Sequence, residues 1–120
     1  FIYITLGVHP EDVVAMRDEQ IERHIEFIRA NRRYIVGVGE IGLDYKWIKE
    51  PDAIKKCKEH LRKFLDFAAD LRLPVVLHSR KAEEDVFEIV SETKLNNVVF
   101  HHYSGNVSLA NQIVERGYYI

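Results

Sequence analysis

Three histidines and one glutamate occupy the same kind of place along this chain. His9 follows the run Ile4-Thr5-Leu6-Gly7-Val8, Glu40 follows Val36-Gly37-Val38-Gly39, His78 follows Val75-Val76-Leu77, and His101 follows Val98-Val99-Phe100. A single histidine at the end of an apolar run is ordinarily a hydrogen-bonded structural residue. Four successive runs ending in His, Glu, His and His form a set of metal ligands by type, because neutral imidazole and carboxylate both offer lone pairs to a cation. Nitrogen and oxygen donors without a thiolate suit Zn²⁺ or Mn²⁺, and also Mg²⁺ if water completes the shell. Neighbours in this set are separated by 31, 38 and 23 residues, so they meet only if the runs that carry them lie side by side.

The intervening sequence has the period needed for that. Residues 2–8, 34–39, 73–77 and 97–100 read as β-strands, and residues 117–120 open a fifth. Each is nearly continuous in Val, Ile, Leu and Tyr, the pattern of parallel strands covered on both faces. Between them Ile21, Ile25 and Ile28 recur at helical spacing, as do Ile54, Cys57, Leu61, Phe64, Ala68 and Leu71. Val86, Ile89 and Val90 mark a further helix, and Ala110, Ile113 and Val114 another, with Gly117 as its stop. Pro51 and Pro74 bracket the long second helix as a helix boundary requires. Alternating strands and helices predict an α/β fold with a parallel sheet, in which polar residues at strand ends gather on the carboxyl-terminal rim of a (β/α) barrel. Residues 1–120 read as one partial barrel domain of four to five βα units, with no internal boundary.

Composition narrows the function classes. The 120 residues are 47% hydrophobic, enough for a core, and 17 basic against 19 acidic residues give a net charge of −2. That balance excludes the strongly positive field of a nucleic-acid coat protein, so any DNA contact is local. The basic face formed by Lys55, Lys56, Lys58, Arg62 and Lys63 is interrupted by Glu59 and Asp66 and reads as solvated surface. The lone Cys57 has no partner for a disulfide, and no run approaches a membrane span or a signal peptide, which together predict a cytoplasmic protein. The chain opens on Phe1 inside a strand-like run and stops inside another, as an excerpt of a longer chain would. Gly37-Val38-Gly39-Glu40-Ile41-Gly42 satisfies the dinucleotide fingerprint, but no helical pattern opens behind it until near Asp52, so its glycines are expected to serve close packing around Glu40.

Four blocks carry a more specific resemblance: Gly7-Val8-His9-Pro10, Gly39-Glu40-Ile41-Gly42-Leu43-Asp44-Tyr45, Pro74 through Ala82, and His101-His102-Tyr103-Ser104-Gly105. In this order they resemble the TatD family of metal-dependent deoxyribonucleases, across nearly the whole chain. The resemblance implies a TIM barrel of the metal-dependent hydrolase superfamily and two divalent ions per complete site. It implies that Glu40 is the catalytic, metal-bridging carboxylate and that His78 and His101 ligate the second ion. His102 falls where the family has Cys and Tyr103 where it has Phe. His9 and Arg80 match positions facing the site and are expected to bind phosphate, a role suited to the planar fork of arginine. The family's His-x-His on the first strand and its late-strand Asp have no counterpart here, so the resemblance supplies ligands for one of the two ions only.

The expected activity is hydrolysis of DNA phosphodiesters by metal-activated water, with DNA as substrate and neither a membrane nor an obligate protein partner. Two alternatives stand beside it. The same strand-end ligands serve ester and amide hydrolysis in other amidohydrolase-type barrels, and residues 1–120 by themselves could be an inactive fragment.

Overall fold

The computed structural model describes residues 1–120. Its strands are β1 (Thr5–Leu6), β2 (Gly37–Gly42), β3 (Val75–His78) and β4 (Val98–Phe100). All pair in parallel in the order β1-β2-β3-β4, so each strand lies beside its successor in sequence. Helices make the returns: α1 (Pro10–Ala15) and α2 (Asp18–Ala30) before β2, α3 (Pro51–Leu71) before β3, α4 (Glu83–Ser91) before β4, and α5 (Val107–Glu115) after it. Sequential parallel strands joined by helices are the repeating unit of a (β/α) barrel.

The helices cover one face of the sheet. Ile21, Ile25 and Ile28 of α2, together with Cys57, Leu61, Phe64 and Ala68 of α3, are buried in a single apolar cluster with Val38, Ile41, Val75, Leu77, Val98 and Phe100 of the strands. Each large side chain so buried contributes roughly 1.5 to 3 kcal/mol relative to exposure. Along β3 the opposite face is less covered, since Val75 and Leu77 are buried while Val76 and His78 are half-buried. The long helix α3 ends at Arg72 in the left-handed region (φ 54°), where the Leu73 amide bonds back to the Ala68 carbonyl (3.0 Å) and Pro74 follows. Three residues of its basic face are paired with neighbouring segments: Lys58 with Asp85 (2.7 Å), Arg62 with Glu92 (3.4 Å) and Lys63 with Glu22.

Several boundaries differ from the sequence reading. The strand expected over residues 2–8 is ordered as a ladder only at Thr5–Leu6, because β2 offers partners only from Gly37 and nothing pairs with the outer edge; Phe1, Ile2 and Tyr3 are exposed. The strand expected over 34–39 lies three residues later, because Tyr34 closes a 3-10 turn (Arg32–Tyr34) that finishes the helix before it. The fifth strand, expected over 117–120, is a single bridge between Tyr119 and Val99. Helix α1 was not foreseen, and Val114, expected on the apolar face of α5, is exposed while Leu109 and Ile113 are buried.

Candidate metal centre

The placement of Glu40 follows from an irregularity in β2. Val38 pairs with Val75 and Ile41 with Leu77, so β2 spans three residues where β3 spans two. In a regular strand Glu40 would share a face with Val38, which is fully buried under the helices. The extra residue returns Ile41 to that buried face and turns Glu40 to the other side, the usual effect of a bulge beside a functional site. Glycine permits the close packing this needs: a Cβ on Gly42 would stand 1.8 Å from the His78 carbonyl oxygen, and one on Gly7 would stand 2.7 Å from that of Glu40. The fingerprint-like glycines therefore join strands, and an eight-residue loop separates them from α3.

His78 ends β3 and His101 follows β4, so both side chains rise at the carboxyl end of the sheet beside Glu40. His78 Nδ1 lies 3.1 Å from Glu40 Oε2, and His101 Nε2 lies 3.5 Å from Glu40 Oε1. His9, three residues beyond β1, brings Nε2 to 3.4 Å from His78 Nδ1 and 3.5 Å from Glu40 Oε2. Two ligands of a tetrahedral ion at zinc-like bond lengths stand about 3.4 Å apart. The spacings around Glu40 are of that order, with His78 and His101 facing different oxygens of it, and His9, Asp44 and His78 each offer one ligand atom within 4.8 Å of the others, a second grouping able to hold a divalent cation.

His9 differs from the other two imidazoles in its second nitrogen. As N-cap of α1 its Nδ1 stands 3.4 Å from the Glu11 amide, placed to accept from it, and Nε2 is the nitrogen that faces the cluster. An Nε2 that keeps its proton can donate to an anionic oxygen, and one without it can join Asp44 and His78 as a cation ligand. Arg80 is exposed, lines the same cavity of ≈ 330 Å³ with Glu40, His78, Ser79, His101, His102 and Ser104, and enters no ion pair. His102, in the left-handed region at φ 51°, lines that cavity but forms no hydrogen bond or ion pair with Glu40 or His78.

One residue at the centre was missed in the sequence. Asp44 is 1% exposed, and its Oδ2 accepts from His78 Nε2 at 2.8 Å while Oδ1 accepts the amides of Lys46 (2.9 Å) and Trp47 (3.1 Å). Burial alone would raise its carboxyl, but the His78 hydrogen bond and the two amides hold it below the ordinary carboxylate value. The available signal was an acid directly behind the apolar Ile41-Gly42-Leu43 step, where an ionised side chain needs several donors to stay buried.

Comparisons with known proteins place the chain among relatives of one family. A family model described as TatD related DNase matches residues 1–120. A metal-dependent hydrolase of Methanocaldococcus jannaschii, itself uncharacterised, is 39% identical over 99% of this chain and 45% of its own length. The human deoxyribonuclease TATDN3 is 26% identical over 99% of this chain and 46% of its own length. Among solved structures, a TatD homologue from Escherichia coli superposes with a TM-score of 0.82 at 28% identity, over 97% of this chain and 44% of the other. The chain thus spans about half the length of the relatives it matches, and within that span it has their fold, a portion of the TIM-barrel hydrolase architecture. With its whole length matched by the family model and its strand-end residues gathered on one rim, this chain belongs to the TatD-related DNase family.

Proposed function

We propose that the protein hydrolyses phosphodiester bonds in DNA, using divalent cations held in part by Glu40, His78 and His101. The observation that carries this reading is the convergence of those three side chains on one cavity that also presents the unpaired guanidinium of Arg80. The human relative is named a deoxyribonuclease, which supports DNA as the substrate. Bound cations would supply Lewis acidity and a more acidic water. Glu40 contributes the charge that can be shared between two ions, and its two oxygens already face different imidazoles. His9 and Arg80 offer N–H donors to phosphate oxygens and so orient the scissile group against the cluster. Zn²⁺, Mn²⁺ and Mg²⁺ all accept this donor set, and two ions per complete site is the reading carried over from the family. No helix is long and apolar enough to cross a membrane, and the buried free thiol of Cys57 accords with a cytoplasmic location.

The test is cleavage of a labelled oligonucleotide by the full-length protein after chelation and after re-addition of each metal. Cleavage should vanish with chelator, return with metal, and be abolished in Glu40→Gln, which keeps the shape of the side chain without its charge. Hydrolysis of carboxyl esters or amides with no action on DNA would overturn the assignment.

A further inference from the structure

The contacts of His78 distinguish its two nitrogens. Nδ1 faces half-exposed Glu40 and the cavity, whereas Nε2 faces buried Asp44. These contacts lie on opposite edges of the ring, so one cation cannot take His78 and both of its neighbours as ligands. The 2.8 Å between Nε2 and Asp44 Oδ2 is a hydrogen-bond distance, shorter than the roughly 3.4 Å between two ligands of one tetrahedral ion. A carboxylate can only accept, so the proton of neutral His78 belongs at the shorter contact, to buried Asp44, rather than on Nδ1, whose 3.1 Å to Glu40 Oε2 is also within hydrogen-bond reach.

Asp44 is also fixed in place from both sides. The Leu43 amide bonds to the His78 carbonyl (3.0 Å) and the Tyr45 amide to the Arg80 carbonyl (2.9 Å), which clamps the loop to the end of β3 on either side of Asp44. The amides of Lys46 and Trp47 occupy Oδ1, leaving Oδ2 for the imidazole.

We propose that Asp44 is a positioning residue that pins the proton of His78 on Nε2, so that His78 presents the lone pair of Nδ1 to the cation shared with Glu40 and His101. The inference rests on the metal-centre reading above and adds to it which nitrogen binds and what selects it. A buried carboxylate behind a ligating imidazole fixes both ring orientation and tautomer, and losing it typically weakens metal binding 10- to 100-fold.

Asp44→Asn makes the idea sharp. With Oδ1 still held by two amide donors, the new NH₂ replaces Oδ2 and points a donor at His78 Nε2, which then needs a lone pair there and a proton on Nδ1. The full-length protein, labelled with ¹⁵N-histidine, is loaded with Zn²⁺, and the long-range ¹H–¹⁵N couplings of His78, assigned against His78→Gln, show which nitrogen carries the proton. Zn²⁺ affinity is measured in parallel by competition with a chromophoric chelator, and folding by circular dichroism. The expected result is a proton on Nε2 in the loaded wild type, with Zn²⁺ affinity lowered 10- to 100-fold in a folded Asp44→Asn protein.

A proton on Nδ1 in the loaded wild type overturns the proposal whether or not the variant folds. So does an Asp44→Asn affinity within about threefold of wild type while Glu40→Gln and His78→Ala lose the ion, an outcome that leaves the metal centre standing. Unchanged Zn²⁺ affinity in Glu40→Gln, His78→Ala and His101→Ala overturns the metal centre and the proposal with it.

Discussion

His101 and His102 are neighbours in sequence, yet only His101 reaches Glu40. In the full-length protein, His101→Ala should abolish metal-dependent cleavage while His102→Ala keeps most of it; equal damage from both would show the wrong imidazole has been assigned. Arg80, exposed on the cavity wall and unpaired, makes no hydrogen bond or ion pair with the proposed metal ligands, so Arg80→Ala should raise KM several-fold with a smaller change in kcat. An unchanged KM with a collapsed kcat would place Arg80 at the reacting atoms instead. The residues that surround the cavity were legible because each His or Glu followed an apolar strand and so had to emerge at one rim. Asp44 was not, because it lies in a loop whose path across the end of β3 is set by backbone bonds between Leu43, Tyr45, His78 and Arg80, and no local pattern encodes such contacts.

Helix periodicity was read more reliably than strand limits, and the reason is physical. The isoleucines of α2 and the apolar stripe of α3 mark a buried face by spacing alone, whereas Tyr34, Ile35 and Val36 have β propensity but pair with β1 only where the preceding turn allows. The bulge that turns Glu40 toward the site arises from pairing with β3 and was equally invisible. Contacts between elements also set a pH dependence. At the start of α4, Asp85 accepts from Lys58 of α3 (2.7 Å) and from the Tyr45 hydroxyl (2.5 Å). Lys58 first and Tyr45 second hold its carboxyl below the ordinary value, while burial and the Asp85 carboxylate push the Tyr45 phenol up. A carboxyl depressed on folding contributes stability that is complete above its unfolded value near 4 and is lost as pH falls through the folded value. Asp85→Asn should therefore cost on the order of 0.5 to 1 kcal/mol at pH 7, the range for a partly exposed pair, and flatten the acid limb of a plot of urea-unfolding stability against pH. Parallel curves for wild type and variant down to pH 2 would show that the pair contributes nothing.

At the scale of the whole molecule, the face of the sheet away from the helices sets the limit on what residues 1–120 can do alone. Tyr119 is exposed, Val76 and Val99 are only half-buried, and β1 presents an open edge. A barrel of this class closes with eight strands, which pair every edge and fill the interior with side chains. The four strands seen here leave both tasks undone, and the relatives that match this chain are about twice as long. Residues 1–120 expressed by themselves should therefore associate and bind a hydrophobic dye, and should show little or no DNA cleavage even with added Mn²⁺ or Zn²⁺. A second cause is independent of folding: on the proposed assignment the cluster around Glu40 would hold one cation, and its other carboxylate, Asp44, is buried against His78 rather than free to orient the attacking water; removing members of a set that acts as a unit eliminates nearly all of the rate enhancement. The check is an oligonucleotide cleavage assay on the purified segment beside the full-length protein, with Glu40→Gln in the segment as a control for contaminating nuclease. Turnover by the segment equal to that of the full-length protein, and absent in the control, would show that four βα units and one cation site suffice for the chemistry, and the two-cation mechanism would have to be abandoned.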